Sequence, residues 1–152
     1  MELANEDKID EVYSFLNGYF DHRKSNFDLR FLSLDLFSVF QQRVLRACAD
    51  IPYGRVCSYG SLAMAVGSPL AARAVGNALA RNPFPLLIPC HRVIPASGKV
   101  GCYGGGVALK MRLLRHEGIV LQGMKVLNLG LQRHDFAFSH YLPKKSVNTN
   151  DC

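Results

Sequence analysis

Four prolines fall within the fourteen residues 82–95 (NPFPLLIPCHRVIP), and this stretch constrains the fold more than any other. Proline fixes φ and removes a backbone donor, so a segment this rich in it cannot be a central strand or a helix interior. It must be a rigid, wandering connection held by the elements around it. Cys90, His91 and Arg92 sit inside it, which sets this cysteine apart from an ordinary buried one. A free thiol ionises near pH ~8.5, and a neighbouring imidazole or guanidinium favours the reactive thiolate. Adjacent side chains diverge in extended backbone, so Cys90 and His91 need a local bend or a bridging water to communicate. A packed cysteine beside a surface histidine satisfies the same letters.

Charge distribution points to a third residue. Between Asp50 and Glu117 there is no carboxylate, against eight basic residues: Arg55, Arg73, Arg81, Arg92, Lys99, Lys110, Arg112 and Arg115. Glu117 is the only acid from Ile51 to His134, which makes it the natural orienting partner for His91 in a relay of the triad type. Residues 1–50 carry six basic and nine acidic residues, whereas residues 51–152 carry twelve and three, which leaves the chain at +6. A block so short of carboxylates suits a surface facing a polyanion, because each neutralised phosphate releases counterions. A basic solvated surface is the plain alternative.

Periodicity supplies the elements. Ile9, Val12, Tyr13, Leu16, Tyr19 and Phe20 predict an amphipathic helix over 7–20. Alternation in 27–36 (FDLRFLSLDL) predicts a strand with a bend or bulge. Ser38 and Gln41 have capping-box spacing and open a helix with Val39, Phe40, Val44, Leu45 and Cys48 inward, ending at the Pro52-Tyr53-Gly54 turn. Ser58 caps a short helix, 59–66, closed by Gly67, and Ser68-Pro69 signals a second helix running to about Arg81. Two short helices across a Gly-Ser turn form a helix-turn-helix candidate. The second is unusually smooth, with Ala71, Ala72, Ala74 and Gly76 around a single Arg73. Such a helix can pack closely in a core, or it can enter the narrow minor groove with its arginine free to insert. A glycine-rich loop (residues 96–106) precedes a helix over 107–117 with Gly118 at C′. Residues 119–142 are mixed, and 144–152 read as a frayed tail.

Composition excludes several classes. The chain has 152 residues, 49% of them hydrophobic, enough for one globular domain that buries roughly two-thirds of its unfolded surface. Residues 1–11 carry five acids and no apolar run, and later apolar stretches are broken by proline or glycine, so neither a signal peptide nor a membrane span is expected. Five cysteines without a CxxC pair argue against a disulfide framework or a cysteine zinc knuckle. Cys48 lies on an apolar stripe, Cys57 and Cys102 match nothing catalytic, and His22, His116, His134 and His140 belong to no motif.

The run from Ile88 to Ile94 (IPCHRVI) resembles the active-site signature of the O6-alkylguanine-DNA alkyltransferases, the methylated-DNA–protein-cysteine methyltransferases. The resemblance extends through IPYGRVCSYGSLA (51–63), AARAVGNALARNP (71–83), SGKVGCYGGG (97–106) and LLRHEG (113–118), in the family's order and spacing. It implies an α+β, mainly α fold: a winged helix-turn-helix-like DNA-binding and catalytic domain over 38–120. A short helix-strand remnant of the N-terminal domain (1–37) would precede it and a C-terminal extension (121–152) would follow. It implies that Cys90 takes the alkyl group from guanine O6, that His91 deprotonates it through a water, and that Glu117 holds His91. Asn82 would brace the active-site turn, and Tyr103 would donate toward the guanine ring nitrogen. Tyr59 would press on the adjacent phosphate while Arg73 fills the vacated place in the base stack. Ala71, Ala72 and Gly76 would let the helix enter the groove, with Arg92 as a further DNA contact. Met64, Val93, Gly104 and Gly105 would line the pocket, with backbone groups of Cys90 and Val93 reading the flipped base.

The partner implied is double-stranded DNA containing O6-alkylguanine, met by an intracellular, cytoplasmic or nuclear, monomer acting once and needing neither cofactor nor metal. Two features depart from the family pattern. The N-terminal domain is short, and Gly104 stands where relatives often carry a side chain, which implies a more open pocket. A module that recognises alkylated DNA with little or no transfer is the alternative function. A cysteine hydrolase unrelated to DNA fits the arginine-bearing helix poorly.

Overall fold

The computed structural model describes residues 3–23, 26–134 and 136. Helix α1 spans Leu3–Phe20 and helix α2 Val39–Ala49. The start of α2 follows from its capping-box spacing, with Ser38 Oγ accepting from the Gln41 amide at 3.3 Å. Val44, Leu45 and Cys48 turn inward. Val39, expected inward, is 64% exposed, because at ~100° per residue it falls on the side opposite those three. The sequence at 52–54 makes the turn its residues demand, with Gly54 at φ 75° and the Arg55 amide donating to Pro52 O.

Strand β1 (Cys57–Ser58) leads into α3 (Tyr59–Ala65), capped by Ser58 Oγ accepting from the Ser61 amide at 3.0 Å. Gly67, at φ 76°, closes α3: its amide donates to Met64 O and the Ser68 amide to Ala63 O, the paired bonds of a Schellman ending. That closure changes the next helix. Ser68-Pro69, expected to open it, instead forms a turn in which the Ala71 amide donates to Ser68 O, and α4 runs Ala72–Ala80. Helices α2, α3 and α4 enclose one core with Val44, Leu45, Leu62, Ala63, Val75 and Leu79 among its members.

The proline-rich segment is fastened to this unit by strand β2 (Val93–Ile94), which pairs parallel with β1 in the register Cys57↔Val93 and Ser58↔Ile94. Helix α5 (Val107–His116) ends at Gly118, φ 82°, as its C′ position requires. Residues 119–132, without clear sequence pattern, build an antiparallel hairpin of β3 (Leu121–Gln122) and β4 (Lys125–Val126), followed by α6 (Leu129–Gln132). Val56, Ile94, Val100, Leu114, Ile119 and Val126 form a second core beneath the hairpin. The architecture is α+β and mainly helical, a helix-turn-helix carrying a small wing. The expected tail, 144–152, and His140 lie outside the described residues.

The strand expected over 27–36 does not form. That segment makes two short 3-10 turns, Leu29–Phe31 and Leu34–Leu36. Asp28 Oδ1 accepts from the Arg30 amide at 3.0 Å and both carboxylate oxygens hold the Arg30 side chain, so the backbone bonds locally instead of in a ladder. Only Phe27 and Leu34 of this stretch are buried, and the segment offers no strand edge for pairing. On α1, Phe15 and Tyr19 are buried in a third cluster with Phe27 and Leu113, while Ile9, Tyr13 and Phe20 are exposed at the far side of a stripe wider than its buried arc.

Candidate active site

Cys90, His91 and Arg92 form a single 3-10 turn. The Cys90 amide donates to Ile88 O at 2.8 Å and the Arg92 amide to Pro89 O at 2.9 Å, so the prolines' fixed dihedrals are locked into the turn. Asn82 braces it from the end of α4: Nδ2 donates to Ile88 O at 3.0 Å, and Oδ1 accepts from the Phe84 amide at 3.0 Å. The turn divides its side chains between two environments. Cys90 is half-buried on a pocket wall, whereas His91 is fully buried behind it.

Glu117, at the C-terminal end of α5, is the meeting point. Its Oε1 lies 2.6 Å from His91 Nε2 and accepts from Tyr19 Oη at 3.0 Å, while Oε2 accepts from the Gly54 amide at 3.0 Å. Arg92 grips the same carboxylate through Nε, 2.8 Å from Oε2, and Nη2, 2.9 Å from Oε1. Burial alone would raise the carboxyl's pKa, but the His91 and Arg92 hydrogen bonds and charges win and bring it to about 2. Glu117 is therefore an anion that can only accept. It follows that His91 Nε2 carries the proton, and that in the neutral ring the lone pair sits on Nδ1. Burial pushes His91 below the usual histidine range despite the pull of Glu117, which favours the neutral ring. Nδ1 is buried and has no hydrogen-bond partner among the described residues.

Both groups make the fold acid-sensitive. An acid with a depressed pKa stabilises the native state above its unfolded value and loses that contribution as pH falls through the native one. For Glu117 this loss runs from about pH 4.5 to about 2 and amounts to roughly 3 kcal/mol. His91 adds in the same direction, because the unfolded ring takes a proton near pH ~6.5 that the buried one resists. Urea titrations at pH 7 and pH 3 should differ by about 2 kcal/mol or more in unfolding free energy, and equal stabilities would contradict the assignment.

The pocket in front of Cys90 encloses about 300 Å³, at the lower end of the ~300–1,000 Å³ range of small-molecule sites. Tyr59 and Gly76 form its helical side, Tyr103, Gly104 and Gly105 its loop side. Burial, then the neighbouring Cys90, pushes the Tyr103 phenol up to about 12, so it remains a donor. A Cβ on Gly76 would meet the Tyr59 ring at 3.8 Å, an ordinary contact distance, whereas one on Gly105 would come within 2.7 Å of Leu109 Cδ2. At Gly104 a Cβ would meet nothing within 4 Å, in keeping with an open rim. Cys102 also lines the pocket, which its sequence context does not signal. On α4, Arg73 is exposed beside half-buried Ala71 and Ala72.

Three expected site residues stand elsewhere. Arg92, expected as a DNA contact, points inward: it is 5% exposed, paired with Glu117, and donates from Nη1 to Ile51 O at 2.6 Å. In a stretch without carboxylates, the one available acid recruits it as an internal cation. Val93 is buried in β2, its amide donating to Cys90 O and its carbonyl accepting from Lys110 Nζ at 2.7 Å, and it does not line the pocket. Met64 is 43% exposed and also lies off the pocket wall, because it occupies the face of α3 turned away from buried Leu62, Ala63 and Ala65. With Arg92 and Lys110 buried, the other six basic residues between Asp50 and Glu117 are exposed.

The profile of the family described as "6-O-methylguanine DNA methyltransferase, DNA binding domain" matches residues 39–119. The chain belongs to this family. The methylated-DNA–protein-cysteine methyltransferase of Mycobacterium tuberculosis is 50% identical over 103 residues, covering 67% of this chain and 61% of that protein. The chain thus spans about three-fifths of that relative's length. The crystal structure of Mycobacterium tuberculosis OGT in complex with DNA is similar at a TM-score of 0.63 and 45% identity, covering 71% of this chain and 66% of that one. That of S. pombe Atl1 with damaged DNA containing O6-carboxymethylguanine has a TM-score of 0.55 at 32% identity, covering 63% of this chain and 94% of its own.

Two residues of this family member's site escape a motif-based reading. Lys110, fully buried, donates from Nζ to the carbonyls of Val93 and Cys102, tying the segment after the Cys90–Arg92 turn to the glycine-rich loop, and burial lowers its pKa to about 8. The signal was a lysine in register with Val107, Met111 and Leu114 on the inward stripe of α5. Tyr19 looks like one more apolar member of the α1 stripe, and only its partner across the fold distinguishes it.

Proposed function

We propose that the chain repairs duplex DNA by taking the alkyl group of O6-alkylguanine onto Cys90, once per molecule, with 38–120 as the catalytic and DNA-binding unit. The observation that carries this reading is the division of one turn: Cys90 opens to a pocket while its neighbour His91 is locked to Glu117 behind it. His91 Nδ1, the ring's free lone pair, takes the thiol proton through a bridging water. The thiolate attacks the alkyl carbon, a C–S bond forms as the O6–C bond breaks, and the electron pair leaves with the purine. Tyr103, held as a donor, hydrogen-bonds the guanine ring nitrogen and stabilises the leaving anion. The product thioether has no route back to a thiolate, so the reaction is stoichiometric and needs no cofactor.

A base inside a duplex cannot reach such a pocket, so it must rotate out at a cost of a few kcal/mol. The narrow face of α4 enters the minor groove, Tyr59 presses on the flanking phosphate, and exposed Arg73 occupies the vacated stack. Arg73→Ala should therefore slow transfer from duplex DNA by about tenfold, equivalent to ~1.4 kcal/mol, and slow transfer from the free O6-alkylguanine base far less. Single-turnover rates on both substrates test this, and equal losses on both would remove Arg73 from base rotation. Intact mass after incubation with an O6-methylguanine duplex tests the reaction itself. Tight binding without a methyl gain would favour the recognition-module reading instead.

A further inference from the structure

Helix α1 lies outside the matched region, yet it delivers a side chain into the relay. Tyr19 is 2% exposed and donates to Glu117 Oε1, the oxygen that also meets His91 Nε2. Its ring packs edge-on to His91, with centroids 6.4 Å apart, and is clamped by Phe15, Tyr53 and His116. His116 Nε2 lies 3.0 Å from Tyr19 O, so the end of α1 and the end of α5, where Glu117 sits, are tied at two points.

We propose that Tyr19 is a positioning residue of the alkyl-transfer site, its phenol holding Glu117 Oε1 in place and moderating the pull of that oxygen on the His91 proton. The proposal rests on the reading of Cys90 as the nucleophile. Oε1 accepts from His91, Tyr19 and both Arg92 nitrogens, with Arg92 Nε at 3.1 Å. Each added donor draws charge from the oxygen and leaves less for His91. A carboxylate released from Tyr19 would favour the imidazolium more strongly, and a protonated ring cannot take the Cys90 proton. The other titratable groups facing this cluster are Arg92, Tyr53, His116, Lys110 and Cys90. Tyr53 donates to His116 O and not to Glu117, which makes it the matched control.

The experiment compares the wild type with Tyr19→Phe and Tyr53→Phe, each keeping its ring and losing one hydroxyl. Two rates are followed from pH 6 to 9: single-turnover transfer from an O6-methylguanine duplex, and iodoacetamide alkylation of Cys90 mapped by peptide mass. For Tyr19→Phe the acid limb of both profiles should move up by about one pH unit, a loss of at most about fivefold at pH 6.5, since the wild-type ring titrates below its usual range, that all but vanishes by pH 8.5. Tyr53→Phe should keep the wild-type profile whatever it does to the melting temperature. A Tyr19→Phe loss that is equal at all pH values, an unchanged profile, or the same shift in Tyr53→Phe would overturn the proposal. If the wild type transfers no methyl group, the repair reading fails, and the pH dependence of Cys90 alkylation still decides the role of Tyr19.

Discussion

Glu117→Gln should lower the unfolding free energy by roughly 3–5 kcal/mol and remove most of the transfer activity. The size follows from what the carboxylate does in a site with no other acid nearby. Five donors converge on it: His91 Nε2, Tyr19 Oη, the Gly54 amide, and Nε and Nη2 of Arg92. Glutamine keeps the shape but offers one acceptor oxygen and turns two N–H donors toward groups that are themselves donors. It also leaves the buried Arg92 guanidinium without a counter-charge, and breaking a buried pair from one side costs far more than the pair's net worth. The functional loss is separate from the stability loss. Without an anion at Nε2, His91 no longer has its lone pair fixed on Nδ1, the side from which the Cys90 proton would be taken. Urea unfolding and single-turnover transfer, measured where the variant remains folded, check the two arms. A variant within 1 kcal/mol of wild type would contradict the electrostatic account.

Cys90→Ala should abolish methyl transfer completely while leaving affinity for O6-methylguanine DNA within a few-fold of wild type. Cys90 is half-buried on the pocket wall, so its removal deletes one sulfur and buries no new polar group. The proposed DNA-facing parts, Arg73 with Ala71 and Ala72 at the start of α4 and Tyr59 on α3, are placed by the α2–α3–α4 core, which Cys90 packs against without being one of its buried members. The His91–Glu117–Arg92 cluster does not involve the thiol in its hydrogen bonds and should stay intact. Electrophoretic mobility shift and methyl counting on the same preparation separate binding from chemistry. Residual transfer in this variant would show that another thiol, with pocket-lining Cys102 the nearest candidate, accepts the alkyl group.

Much of the site was legible because its chemistry is local or singular. The prolines announced a rigid turn, a long stretch with one acid announced the partner of His91, and only the wider resemblance singled out Cys90. Helix ends were equally readable, since Ser38, Ser58 and Gly118 act through bonds within a few residues. What escaped depends on contacts distant in sequence. Tyr19 and Glu117 are 98 residues apart, and no spacing rule connects them. Arg92 looks like any exposed base until Glu117 is seen folded over it. The strand expected over 27–36 failed for a local reason that periodicity ignores: Asp28 supplies its own acceptor to the Arg30 amide, and a 3-10 turn wins over a ladder with no neighbour.

In the proposed reaction Cys90 is an alkyl acceptor activated from behind by His91 and Glu117. The most direct measurement is the intact mass and peptide map of the full chain after incubation with excess duplex carrying a single O6-methylguanine. The expected result is a gain of one methyl group, located on Cys90, at a yield that stops at one per chain while the duplex recovers guanine. An unchanged mass, or a methyl group on any other residue, would contradict it.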